Sequence, residues 1–194
     1  MSESSPEKKY QKKIQTAEDL MQRVANGDRH AFTTLVQVHQ NSILNFIWRL
    51  MGDKTHAEDL SQDVFLRVWK SAPKYEKRAK FSTWIYRIAI NLCLNKKRTL
   101  KIKNMFLTSL PLKRQPQINT DFTTPENQLL KAEQTRRIFD ILNTLPSAQR
   151  IAVTLKFYQG LSYAEISQIL DRSIPAVDAL LVRAKKNIQK KIRK

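Results

Sequence analysis

The sequence predicts an all-α protein of two helical domains joined by an extended linker. Three observations carry this. Apolar residues recur at three- and four-residue steps through most of the 194 residues, the spacing that gathers them on one face of a helix. Glycine occurs only three times, too seldom for the turns of a β-rich fold or for a glycine-rich phosphate loop. Finally, the stretch from Lys96 to Ile118 contains seven basic residues, no acid, and Pro111 and Pro116, a composition that interrupts helical order and divides the chain.

The elements follow in order. Residues 1–15 are a polar, basic N-terminus expected to be disordered. Thr16-Ala17-Glu18-Asp19 can cap a short helix ending at Asn26-Gly27-Asp28. Phe32, Leu35, Val36, His39, Ile43, Phe46, Ile47 and Leu50 then share one face of a long helix that Gly52-Asp53 ends. Thr55-His56-Ala57-Glu58 has the form of a capping box. It opens a third helix with Ala57, Leu60, Val64, Val68 and Trp69 inward, and Pro73 stops it. Pro73 to Lys80 is a charged loop, and a fourth helix follows with Phe81, Trp84, Ile85, Ile88, Ala89 and Leu92 as its stripe. These elements make a first domain over residues 16–98.

Residues 99–124 are the linker, whose cationic charge suits a path along a polyanion or an acidic channel. Thr124-Pro125-Glu126 restarts order, with threonine as cap, proline in the first turn and a carboxylate at the positive end of the helix. The second domain, 125–194, divides into helices near 125–143, 146–158, 162–170 and 174–192. Gly160 supplies the left-handed stop between the second and third.

Composition narrows the function. Lys and Arg number 35 against 17 Asp and Glu, a formal charge of +18, and a field of that sign concentrates polyanions. The single cysteine, Cys93, excludes an intramolecular disulfide and sits in an apolar run that suits a buried, inert thiol. His30, His39 and His56 lack metal-ligand spacing. No metal or other cofactor is expected. Nor does any constellation of carboxylates, or of a nucleophile with its base, point to an enzyme. The N-terminus carries no signal-peptide pattern and no run reaches transmembrane length without a charge, so a cytoplasmic protein is expected.

Ser162 to Lys186 carries the pattern of a helix-turn-helix. A short helix with Ile166, Ile169 and Leu170 inward leads through Asp171-Arg172-Ser173 to a second helix that Ser173 is placed to cap. Pro175 is tolerated in that helix's first turn, where its missing N–H costs nothing. Val177, Leu181, Ala184 and Ile188 face inward. The opposite face presents Ala176, Ala179, Arg183 and Lys186, with Arg172 and Ser173 at the turn. Small residues let the backbone approach a major groove, and the later cations reach phosphates or guanine edges.

Two segments make the reading specific. Asp59-Leu60-Ser61-Gln62-Asp63-Val64-Phe65-Leu66-Arg67-Val68-Trp69 and Lys80-Phe81-Ser82-Thr83-Trp84-Ile85-Tyr86-Arg87-Ile88-Ala89-Ile90-Asn91 resemble the second conserved domain of bacterial sigma factors. Leu145-Pro146 through Gly160-Leu161-Ser162-Tyr163-Ala164-Glu165-Ile166 resembles their fourth. The order, the spacing and the absence of a third domain resemble the extracytoplasmic-function group of the sigma-70 family, over about 17–98 and 125–190. The resemblance implies a subunit that binds core RNA polymerase and places it on promoter DNA. It implies that the helix bearing Asp59, Gln62, Asp63 and Phe65 docks on the polymerase clamp helices. It further implies that the loop from Pro73 and the helix after it read the minus-ten element, with Tyr75, Arg78, Lys80, Trp84, Tyr86, Arg87 and Asn91 as candidate contacts. Capturing unstacked bases calls for aromatic surfaces, amides and cations of this kind. Arg172, Ser173, Ala176, Ala179, Arg183 and Lys186 would read the minus-thirty-five element. Inhibition by an anti-sigma protein is common in this group, although no residue pattern in the chain points to one.

The chain also departs from the family pattern. Asp178 and Leu180 stand where many members place cations, Asp171 replaces a frequent turn glycine, and the linker is cationic where many relatives carry acids. The alternative, a stand-alone helix-turn-helix regulator, would explain the second domain but leave the Asp59–Trp69 and Lys80–Asn91 segments without a task.

Overall fold

The computed structural model describes residues 16–76, 80–106 and 136–192. All regular structure among them is helical. In chain order the helices are α1 (Ala17–Ala25), α2 (Arg29–Met51), α3 (Lys54–Ser71), α4 (Phe81–Phe106), α5 (136–144), α6 (Ser147–Val153), α7 (Tyr163–Leu170) and α8 (Ile174–Ile192). A single 3₁₀ turn, Ala72–Lys74, follows α3, and a π-helical turn, Thr154–Tyr158, continues α6.

Local chemistry sets the boundaries. Thr16 caps α1 reciprocally with Asp19, each side chain accepting from the other's backbone N–H at 3.2 Å. Asp28 caps α2 by accepting from the Ala31 N–H at 3.0 Å, and it also holds Arg23. The α3 cap differs from the Thr55 capping box. Asp53 takes that role, with its Oδ1 accepting from the His56 N–H at 2.8 Å. Gly52, left-handed at φ 78°, turns the chain so that the very next residue is extended, and helix begins a full residue before Thr55.

The fourth helix also exceeds its sequence boundary, running to Phe106 rather than stopping near 98. Lys, Arg and Leu are good helix formers, and no glycine or proline intervenes before Pro111. The first residues of the expected extended linker are therefore helical; the Thr124 cap and the rest of the linker lie outside the described residues.

In the first domain α2 packs on α1, α3 and α4. Leu35, Ile43, Phe46 and Ile47 from α2 meet Val64, Val68, Phe81, Ile85 and Ala89, all essentially inaccessible. Phe46 and Tyr86 meet edge to face at 4.9 Å, and truncating a buried phenylalanine of this kind costs about 3–5 kcal/mol. In the second domain α8 closes the core against α6 and α7, burying Leu155, Ile166, Val177 and Ala184.

The two domains also touch. α4 lies against α7, and α2 against the π-helical turn. Phe139 of α5 is buried, stacks on Trp48 at 5.5 Å and covers Gly52. A Cβ at Gly52 would fall inside that ring's van der Waals envelope as well as straining a positive φ. Gly52→Ala should therefore lower stability by about 1–2 kcal/mol from backbone strain alone, read as a shifted urea midpoint. Pairing it with Phe139→Ala should recover the steric part and leave the strain.

Candidate nucleic-acid interface

Along α4, one exposed face carries Lys80, Arg87, Asn91, Asn95 and Arg98, with half-buried Trp84 among them. Steps of three, four, four and three residues after Arg87's neighbour Trp84 keep them on a single stripe. Five of the expected minus-ten residues thus divide into two sets. Lys80, Trp84, Arg87 and Asn91 share the accessible face. Tyr86 does not: only 6% of it is exposed, and its hydroxyl donates to Gln159 Oε1 at 2.5 Å. Its ring belongs to the core beside Phe46, so Tyr86 is corrected from a surface contact to a packing residue. Asn91 is exposed on this face.

The start of α4 is held from a distance. Glu18 of α1 accepts from the Phe81 N–H at 2.7 Å, capping α4 across 63 residues of sequence. His39 lies against the Phe81 ring at 5.1 Å, where burial holds its imidazole below the usual pKa. Tyr75, half-buried, packs at 5.0 Å on Trp84 and 6.5 Å on Phe81. Burial, with help from Glu18, keeps its phenol protonated beyond the ordinary range. The result is a fixed aromatic corner at the head of the cationic stripe. Arg78 lies outside the described residues.

On α3 the expected docking set also divides. Asp59, Gln62 and Asp63 are exposed on one face, and neither acid has an ion-pair partner among the described residues. Phe65 is 7% exposed and belongs to the core. The family resemblance places it in the docking set, but its position is one residue past Val64, on the buried side. The exposed apolar residue is Leu66, 54% accessible. It stands three and four residues beyond Asp63 and Gln62, a spacing that could have identified it.

The helix-turn-helix forms with its expected chemistry. Ser162 and Glu165 cap α7 reciprocally: the Glu165 N–H donates to Ser162 Oγ at 3.2 Å, and the Ser162 N–H to Glu165 Oε2 at 2.9 Å. Asp171 adopts the left-handed turn at φ 52°, a region aspartate visits more readily than most residues. Ser173 Oγ accepts from the Ala176 N–H at 3.4 Å. Arg172, Ser173, Arg183 and Lys186 are exposed on α8 and its approach, with Ala176 and Ala179 partly exposed among them. Leu180 is buried, so a cation there would have no access to DNA; Asp178 is exposed.

Away from this face, α5, α6 and α8 enclose an open apolar groove of about 700 Å³, lined by Ile138, Ile141, Val153, Phe157, Val182 and Ile188. Cys93 is buried and its thiol is pushed up to about 12 by burial, which keeps it protonated and unreactive. Among the described residues, no helix is long and apolar enough to cross a membrane.

Comparison with known proteins gives concordant matches at two places. Residues 35–101 match the family model for sigma-70 region 2, and residues 135–188 that for sigma-70 region 4. The ECF RNA polymerase sigma-E factor of Haemophilus influenzae is 31% identical over 91% of this chain and 95% of its own length. The ECF RNA polymerase sigma factor SigW of Bacillus subtilis is 29% identical over 89% and 95%. Among solved structures, CnrH in complex with the cytosolic domain of CnrY aligns with a TM-score of 0.68 at 21% identity, covering 90% of this chain and 95% of that one. The sigma factor RpoE of Bartonella quintana, in complex with the anti-sigma factor NepR, aligns at 0.70 and 18%, covering 84% and 96%. At these identities the structural likeness establishes the fold.

Glu165 offers a direct check on this geometry. Lys80 and the Ser162 backbone and hydroxyl bring its pKa down to about 2 from an ordinary 4.5. A depressed carboxylate stabilises fully above pH 4.5, and that stabilisation disappears as pH falls toward 2. The carboxyl carbon-13 shift of Glu165 should therefore titrate near pH 2. In Lys80→Ala the midpoint should move up toward 4.5, and an unmoved midpoint would refute the pairing.

Proposed function

The chain belongs to the extracytoplasmic-function group of the sigma-70 family and as such binds core RNA polymerase and directs transcription initiation; we propose how its residues divide that task. The role is regulatory rather than catalytic, and it places the protein in the cytoplasm with polymerase and promoter. Sigma regions 2 and 4 in one chain also give the first domain the task that a stand-alone regulator leaves unassigned.

The observation that carries the minus-ten assignment is the single α4 stripe of Lys80, Trp84, Arg87 and Asn91 beside Tyr75. Cations along it meet backbone phosphates, the Tyr75–Trp84 corner stacks a base leaving the duplex, and the Asn91 amide reads that base's edge. Arg78, two residues before Lys80 in sequence, would add a further cation. In the second domain Ser173, Ala176 and Ala179 let α8 approach the major groove while Arg172, Arg183 and Lys186 supply phosphate or guanine contacts. Asn95 and Arg98 extend the α4 stripe along the same strand. An anti-sigma protein is a further partner compatible with this reading.

Extrusion of a base costs a few kcal/mol of stacking and pairing, which pocket contacts must offset. Asn91→Ala should consequently impair promoter opening more than closed-complex binding. Permanganate footprinting on duplex and pre-melted templates tests this, because melting in advance removes the cost. The defect should shrink on the pre-melted template; equal defects on both would discard the capture role.

Core polymerase is assigned to the α3 face of Asp59, Gln62 and Asp63, with Leu66 as its apolar centre. Acids without an ion-pair partner among the described residues, on a protein of charge +18, suit a basic helical partner. An apolar residue surrounded by polar groups is the usual form of an interface anchor. Reversing Asp59 and Asp63 to lysine should abolish co-purification with core enzyme and leave the helical circular dichroism unchanged, since both acids are exposed. Retained co-purification would send the docking surface elsewhere.

A further inference from the structure

The first half of α8 is nearly devoid of hydrogen-bonding side chains. After Ser173 it reads Ile174-Pro175-Ala176-Val177-Asp178-Ala179-Leu180-Leu181-Val182 before Arg183. Asp178 is the one side chain in that run that can hydrogen-bond. It is also the one acid of α8, which carries five lysines and arginines. In a helix-turn-helix the N-terminal part of the second helix meets base edges. Base discrimination by hydrogen bonding in that part of α8 therefore falls to Asp178.

The Asp178 side chain is exposed and has no hydrogen-bond or ion-pair partner among the described residues. The residues three and four away, Ile174, Pro175, Leu181 and Val182, are all apolar, so no helical ion pair is available to it. Nor does it cap the helix, a task that Ser173 performs. A carboxylate gains nothing beside a phosphate, which repels it. Ile174 and Val182, exposed one turn before and after it, offer DNA only apolar surface. Asp178 also stands at the rim of the apolar groove between α5, α6 and α8, where it would distinguish no base.

An ionised carboxylate can only accept hydrogen bonds. In the major groove guanine presents the acceptors O6 and N7, and thymine presents O4 with a methyl group. Adenine sets its N6 amine beside the N7 acceptor, whereas cytosine presents the N4 amine alone. We infer that Asp178 is a specificity-determining residue, accepting from the N4 amine of one cytosine in the minus-thirty-five element. Guanine and thymine are rejected there because acceptor would face acceptor. The inference rests on the assignment of α8 to that element and adds the base that one position requires.

The test uses holoenzyme assembled from core polymerase and the full chain, on a promoter it transcribes with the minus-thirty-five element randomised. A barcode in each run-off transcript identifies its template and gives the base preference at every position. The parent should favour cytosine at one position by roughly fivefold or more. Asp178→Ala should flatten that position and leave the others as they were. Asp178→Asn, with a donor beside its acceptor, should move the preference there toward adenine, whose N6 and N7 it matches. Helical circular dichroism should be unchanged in both, because the side chain is exposed. A parent with no cytosine preference, or a preference that survives in Asp178→Ala, would overturn the inference. So would a uniform loss of transcription across the library, which would place Asp178 against polymerase or in the fold. Arg183→Ala and Lys186→Ala, measured in parallel, keep the underlying assignment separate. If they weaken recognition of the element while Asp178→Ala changes nothing, the base contact fails and the assignment of α8 stands. If no variant alters recognition, the assignment itself fails.

Discussion

Much of this structure depends on where one guanidinium is buried. Arg150, 8% exposed, donates to the Asn143 side chain and carbonyl at 2.6 Å each, to the Leu145 carbonyl at 3.4 Å and to the Leu50 carbonyl at 3.2 Å. Those acceptors lie at the C-terminal ends of α5 and α2, where carbonyls lack helical partners and the helix dipole is negative. One cation thereby satisfies the ends of two helices from different domains. Burial lowers its pKa, but arginine starts so high that it stays charged. The charge is therefore offset by dipoles rather than by an acid. Around this point Phe139 covers Gly52 and stacks on Trp48, and Arg49 reaches Tyr158. The junction would lose its polar anchor first if Arg150 were removed, because the helix-end carbonyls would remain buried without donors.

The acids of this basic chain are distributed by use. Glu18, Asp19, Asp28, Asp53 and Glu165 all accept from backbone N–H groups at helix starts, so their charge is spent on helix starts. Asp59 and Asp63 are different: they lie within α3 rather than at its cap, exposed beside Leu66. The cations concentrate on the outer faces of α4 and α8. This separation of signs gives one surface for a polyanion and another for a basic protein. It follows from sequence position along three helices rather than from any tertiary rearrangement.

How much of this could be read from sequence depended on the range of the interaction. The helix-turn-helix was legible down to the conformation of Asp171 and the cap on Ala176, because every interaction spans three or four residues. The Thr16 box was legible for the same reason. Thr55 was misleading because the deciding event was the left-handed Gly52 upstream, which moved the cap to Asp53. The end of α4 was misjudged because basic composition resembles a linker while its propensity is helical. Phe65 and Tyr86 were assigned outward from motif membership, although a one-residue step along a helix turns a side chain by about 100°. Glu18 at the head of α4 and Gln159 on Tyr86 left no local signal, as their partners lie 63 and 73 residues away.

The junction between the domains forms against the charge that suits the protein to a polyanion. Both domains are basic, so bringing them together costs mutual repulsion. Lys97, half-buried on α4, records that cost: burial and the nearby charge of Arg150 bring its pKa down to about 8. The part of that depression due to Arg150 of the second domain makes protonation of Lys97 work against closure. Against this repulsion stand the stacking of Phe139 on Trp48 over Gly52, Arg49 over Tyr158, the hydrogen bonds of Arg150 and Tyr86 and, among the described residues, the ion pair of Glu165 with Lys80. A polyanion relieves the repulsion on both domains at once, whereas Glu165 relieves it at a single point. The junction is thus held by apolar packing and helix-end dipoles, which do not depend on the sign of either domain's charge.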